Sequence, residues 1–194
     1  MQRYKCQLVL TNIMKKSDIS KKLIFTEAKK LFWTKGYSNV SLRDISKTVK
    51  LDIALISRYF GNKKKLFEET LVDKSEWVNQ INSSNIIDMF VESFMESKNL
   101  NDEVTYVKML CMNASDPEVG RIVQKHHDAM MRKPIIRQIK NKFKPINFDL
   151  LGAILIGVSI TRKTLKNPSL TKLNNQEYEK ILRHLITAAL KYKI

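Results

Sequence analysis

The segment Ile53–Lys65 reads IALISRYFGNKKK and carries two groups of side chains suited to contact with a polyanion. Gly61-Asn62 reads as a helix stop followed by an N-cap, so a new helix is expected to start at Lys63. Its first turn then holds Lys63, Lys64 and Lys65. A helix N-terminus carries about half a positive charge and favours anions by about 0.3–1 kcal/mol per side chain. Three cations there oppose the dipole and one another. A phosphate at that terminus would accept backbone N–H groups and lysine amines together and relieve the conflict. The competing reading is three lysines splayed into water at little cost.

The preceding stretch, about 53–60, reads as a helix whose inward side chains are Ile56 and Phe60, four residues apart. Its other positions are Ile53, Ala54, Leu55, Ser57, Arg58 and Tyr59. A purely solvated face would carry Glu and Lys. A face that enters a major groove needs small groups for approach, methyl-sized groups for thymine and an Arg for guanine.

Two further helices are expected to position this one. Ser20 to Lys35 has apolar residues at helical spacing in Ile24, Ala28, Leu31 and Phe32, and Gly36 supplies a left-handed stop. Ser41-Leu42-Arg43-Asp44 is a capping-box pattern opening a helix at about 42–49, with Leu42, Ile45 and Val49 inward. Asp52 is placed to cap the third. A turn of three to four residues between the second and third helices is the helix-turn-helix spacing; a generic three-helix bundle has the same outline.

Charge agrees with a polyanion partner. Formal net charge is +16, and residues 1–70 hold sixteen Lys and Arg against six Asp and Glu. Nucleic acid or an acidic membrane surface would suit that third of the chain, as would a lysine-rich protein with neither. Cys6 and Cys111 form neither a disulfide framework nor a metal-ligand spacing, which suits a reducing compartment and a cytoplasmic protein. No secretory signal is legible. The apolar run Leu150–Thr161 is expected to be a buried helix, short of the roughly 20 residues of a membrane span, so no membrane partner is expected. No cofactor motif, phosphate loop, nucleophile elbow or metal motif appears, and the protein is not expected to be an enzyme.

Downstream, helices are expected at about 63–82, 86–97, from Asn101 to near Met112, and after Asp116-Pro117-Glu118. Pro134 should interrupt or restart the last of these and Pro145 stop it. A helix apolar on most faces, about 149–165, is expected to use Gly152 and Gly157 for close approach. A loop at 168–174 and an amphipathic helix at 175–192 finish the chain. Adjacent His126 and His127 should point to different faces and make a poor metal pair. Met109, Met112, Met130 and Met131 suit core packing or the lining of an apolar pocket, and Trp33 and Trp77 are expected to pack. Residues 1–17 are expected to be an unstructured extension, with Met14-Lys15-Lys16 resembling a translational start.

Residues 20–71 resemble the DNA-binding domain of the tetracycline-repressor (TetR) family of bacterial regulators. The resemblance rests on Ala28, Leu31-Phe32, Gly36-Tyr37, Ser41-Leu42-Arg43-Asp44-Ile45, Val49, Leu51, Ile56, Tyr59-Phe60, Lys63 and Leu66. Lys50 stands where that family usually has Gly, and Ser57 where it often has Tyr. The resemblance implies base contacts from Arg43, Ile53, Ala54, Leu55, Ser57 and Arg58. It implies phosphate contacts from Ser41, Tyr59 and Lys63.

The expected architecture is therefore all-α, in two parts. A helix-turn-helix DNA-binding domain spans 18–66. A helical ligand-binding and dimerisation domain spans 67–194, its ligand-contacting residues not legible from sequence. By resemblance, the helices at about 149–165 and 175–192 pair with a second copy. The implied partners are a double-stranded DNA operator, a second subunit and a small-molecule ligand that releases a repressor. A DNA-binding scaffold protein without an inducer is the alternative, and an enclosed apolar cavity would favour the repressor.

Overall fold

The computed structural model describes residues 16–72, 77–96 and 105–193. The expected extension lies almost wholly outside these residues. Among the described residues there are helices and turns and no strand.

Helices α1 (Lys16–Lys35), α2 (Leu42–Val49), α3 (Ile53–Phe60) and α4 (Lys63–Leu71) form the N-terminal unit. Each short helix starts where a side chain can cap it. Ser41 and Asp44 form the reciprocal capping box, the Asp52 carboxylate accepts from Ala54 N at 2.6 Å, and Asn62 Oδ1 accepts from Lys65 N at 2.9 Å. Ile24, Ala28, Phe32, Ile45, Ile56, Phe60, Leu66 and Phe67 are buried in one core. Met109, Val119 and Val123 from much later in the chain complete that core. The expected helix 63–82 is broken: extended backbone at Val72 (φ −66°, ψ 90°) ends α4, and α5 covers only Trp77–Gln80.

The second core gathers α5, α6 (Ile86–Glu96), α9 (Lys133–Ile139), α10 (Pro145–Ser159) and α12 (Asn175–Lys191). Helices α7 (Tyr106–Asn113) and α8 (Gly120–His127) lie between the two cores, and α11 is a single turn, Pro168–Thr171. The position expected to open α7, Asn101, is outside the described residues; Thr105 caps the observed helix, its hydroxyl accepting from Lys108 N at 3.2 Å. Asp116, expected to be a helix N-cap, heads a turn instead, accepting from Glu118 N and Val119 N at 2.9 and 3.1 Å, and α8 begins only at Gly120.

Of two prolines, Pro134 acts as expected and Pro145 does not. Before Pro134 the chain forms a π turn, Asp128–Arg132, and α9 restarts at Lys133 with the proline in its first turn. Proline has no N–H to offer the carbonyl four residues back, and a wider turn absorbs the missing bond. Pro145 starts α10 instead of stopping its predecessor, because at the first helical position its missing N–H has no partner to lose. A second π turn, Ile160–Thr164, prolongs α10. The apolar helix is thus 20 residues, Pro145–Thr164, long and apolar enough to cross a membrane by length and composition. Only 22% of its apolar window is buried within the subunit, which corrects the expectation of a shorter, buried helix. A Cβ at Gly152 or Gly157 would meet nothing within 4 Å, so neither glycine serves close packing inside one subunit.

Candidate nucleic-acid interface

The turn between α2 and α3 is built from three local features. Lys50 adopts the left-handed conformation (φ 56°, ψ 40°) that the family usually gives to Gly. Leu51 N then donates back to Ser46 O at 3.2 Å. Ser46 Oγ donates to Leu51 O at 2.6 Å, closing the turn from the other side. With Ile45, Val49, Ile56 and Phe60 buried, the rotation of α3 about its axis is fixed.

That rotation leaves Arg43, Ala54 and Arg58 exposed and Ile53, Leu55, Ser57 and Tyr59 half-buried. Ser41 is exposed, but its hydroxyl donates to Asp44 Oδ2 at 2.6 Å and its N–H to the same oxygen at 2.8 Å. Those hydrogen bonds hold the Asp44 carboxyl below its usual range. The Arg58 guanidinium carbon lies 5.5 Å from the Tyr59 ring centroid. Lys63 is not splayed into water: its Nζ sits 3.9 Å over the Tyr37 ring, a cation–π contact that offsets the repulsion at the α4 terminus. Lys64 and Lys65 are exposed, and the Lys65 stem runs close to Gly61.

Sequence reasoning missed the residues that join this unit to the rest. Tyr37 is buried; its hydroxyl donates to Glu118 Oε1 at 2.6 Å and its N–H to Asn113 Oδ1 at 2.7 Å. Burial, then the Glu118 hydrogen bond, push the Tyr37 phenol well above its usual range, so it stays a donor. Buried Asn113 also donates to Phe32 O and Met109 O at 3.1 and 2.9 Å. Ser38 donates its hydroxyl to Asp116 Oδ2 at 2.5 Å. Gly36, at φ 87°, lets α7 approach: a Cβ there would lie 3.2 Å from Met112 O. The pairs 37–113 and 37–118 are too distant in sequence to leave a local signal, although the capping pattern at Asp116 marked one end.

The second feature is a cavity of about 750 Å³ in the C-terminal part. Trp77, Phe90, Phe94, Leu110, Met130, Met131, Phe148 and Leu155 supply apolar lining, while Tyr106, His126, His127, Asp149, Ser159 and Lys163 supply polar groups. Both histidines are among its lining. His127 Nδ1 lies 3.2 Å from the Tyr106 hydroxyl, and burial holds the His127 pKa down. Met130 and Met131 line the cavity, Met109 is core, and Met112 is exposed. Trp33 is buried and Trp77 packs against the second core, both as expected, and Trp77 also lines the cavity. Among the described residues, no group of three His, Cys, Asp or Glu could hold a metal ion.

A fixed turn, an outward helix bearing Arg58 and a lysine-rich helix start beside it define a DNA-binding regulator of the helix-turn-helix class. Residues 13–70 match the family model for bacterial regulatory proteins, tetR family. Residues 13–70 thus carry the DNA-binding domain of that family.

The whole fold is similar to solved structures. A protein described as a TetR-family transcriptional regulator from Mesorhizobium loti is 13% identical, with 91% of this chain and 97% of that one covered and a TM-score of 0.60. HlyIIR, a hemolysin II transcriptional regulator, is 15% identical, with 91% and 99% covered and a TM-score of 0.57. At such identities the likeness speaks to fold alone. No curated protein matches the sequence.

Proposed function

We propose that the protein is a cytoplasmic, homodimeric transcriptional repressor released from its operator by a small molecule. Support for ligand control comes from α7. Tyr106 and Leu110 on that helix line the cavity, and Asn113 at its end holds the backbone of Tyr37 and Phe32. A ligand that displaces α7 therefore acts on the same hydrogen bonds that orient α1 and the turn after it. A cavity with convergent polar groups also favours this reading over a scaffold protein with a filled core.

In the proposed complex Arg43, Ile53, Ala54, Leu55, Ser57 and Arg58 face base edges. Tyr59, Lys63 and the backbone around Ser41 face phosphates. The Ser41 hydroxyl proton is already given to Asp44, so its share is as an N-cap that exposes the α2 terminus. The second subunit covers the outward face of α10, which includes Gly157, together with α12. Two α3 helices would then enter successive major grooves about 34–36 Å apart.

Selection of bound fragments from genomic DNA tests this reading. A shared motif with two symmetric half-sites about one helical turn apart is expected, and the adjacent transcripts should rise when the gene is deleted. Fragments without a shared motif, or transcripts that fall, would contradict it.

A further inference from the structure

We infer that the cavity takes an uncharged aromatic molecule. This rests on the proposed ligand control and names the class of ligand. The volume of about 750 Å³ lies within the roughly 300–1,000 Å³ usual for a small-molecule pocket. Trp77, Phe90 and Phe148 form a continuous run of rings in its wall. The first two meet edge to face with centroids 5.6 Å apart, and Phe90 and Phe148 are tilted at 54° with centroids 6.4 Å apart. Rings set at several angles let a flat ligand ring stack on one and meet another edge-on. Met130 and Met131 add thioethers to the wall, and Met130 stays exposed although it lines the cavity. Sulfur gains a favourable contact at the edge of an aromatic ring that a saturated ring does not supply.

The absence of charge is read from the ionisable groups. Among the described residues lining the cavity, Asp149 is the one carboxylate. Arg132 holds it in a two-pronged ion pair, Nε to Oδ1 at 2.8 Å and Nη2 to Oδ2 at 2.9 Å. Both carboxylate oxygens are therefore engaged, and a cationic ligand would have to compete with a guanidinium. On the basic side, His126 and Lys163 are already engaged within the subunit. Burial holds His127 toward its neutral form, with Nδ1 3.2 Å from the Tyr106 hydroxyl. An ion of either sign would give up its hydration among these residues without meeting a disengaged counterion, whereas a neutral molecule enters without that cost.

The test uses the full-length protein and four probes of one carbon skeleton, titrated by calorimetry at pH 7.5: 2-naphthol, its saturated counterpart decahydro-2-naphthol, 2-naphthoate and 2-naphthylmethylammonium. Naphthol is expected to bind at least about tenfold more tightly than either ion and about threefold more tightly than the saturated alcohol. Trp77→Leu should erase the threefold margin while the affinity for the saturated alcohol stays unchanged, which also reports an intact cavity. Equal or tighter binding of either ion overturns the uncharged class. Equal binding of the saturated alcohol by the unaltered protein, or a margin that survives Trp77→Leu, overturns the role of the rings. DNA binding by the same preparation is scored separately by fluorescence anisotropy. A protein that holds DNA and takes none of the four probes refutes this inference alone, and one that takes 2-naphthol without binding any duplex refutes the proposed function.

Discussion

Tyr37 donates its hydroxyl proton to Glu118 across 2.6 Å, tying the turn after α1 to the segment that enters α8. Asp116 and Asn113 hold the same turn, so three side chains of the C-terminal part grip Tyr37 and Ser38. Tyr37→Phe removes one grip and keeps the ring beneath Lys63. Glu118 is exposed and regains water, so the loss is expected to be about 1 kcal/mol, the net worth of one hydrogen bond. Urea unfolding measures it. An unchanged midpoint would mean that the bond contributes nothing to holding the two parts together.

Lys50 pays for its left-handed backbone, a conformation that costs a residue with a Cβ about 1 kcal/mol. Lys50→Gly removes that strain, and part of the gain is returned through the freer unfolded chain. The expected result is a small rise in melting temperature with α2 and α3 unchanged. A fall would show that the Lys50 side chain makes a contribution beyond its conformation.

The chain told its own local structure well and its distant contacts poorly. Helices α2 and α3 were legible to the residue because Ser41, Asp52 and the apolar spacing all lie within a few positions of the elements they set. Pro145 was ambiguous, since the same residue ends one helix or begins another, and only the packing of α10 decides. His126 and His127 were assigned to different faces from helical geometry, and a wide cavity wall admits both. The position of Lys63 over Tyr37 needed the fold, because the ring belongs to another element. The contacts proposed for DNA were legible as residue types, whereas the cavity is assembled from segments with no shared pattern.

Acid should weaken the fold in a direction set by its carboxylates. Hydrogen bonds from Arg132 hold Asp149 below its usual range, those from Ser41 hold Asp44 below, and Lys133 does the same for Asp128. The unfolded carboxyls titrate near about 4. Below that pH the unfolded chain binds more protons than the folded one, so stability present at neutral pH is lost as pH falls through the folded values. Arg132→Gln should lower stability at pH 7 and flatten the acid limb of a thermal-melting series from pH 7 to 3. Parallel limbs for the two proteins would remove Arg132 from the account.

Gly157 offers a way to separate folding from association. It is exposed on α10, and a Cβ there has open space. Gly157→Glu is therefore expected to leave the subunit folded while placing a charge in the proposed interface. Light scattering at micromolar concentration should give a dimer for the unaltered protein and a monomer for the variant, with equal helical circular dichroism. A variant that remains dimeric would move the interface away from this face of α10.

The three lysines at the start of α4 are reconciled in the free protein by different means, and DNA binding should distinguish them. Lys63 rests on the Tyr37 ring, while Lys64 and Lys65 meet solvent. In the proposed complex Lys63 contacts a phosphate beside the free N–H groups of the helix. Lys63→Ala should then weaken binding to all duplexes alike and reduce the slope of log affinity against log salt by about one. Arg58 is exposed on α3 and proposed to meet a base edge, so Arg58→Ala should cost about 1–3 kcal/mol on the operator and much less on unrelated DNA. Anisotropy titrations at several salt concentrations, on operator and scrambled duplexes, measure both quantities. If the two substitutions weaken both duplexes equally and shift the salt slope alike, Arg58 is a phosphate contact and the base-reading face of α3 lies elsewhere.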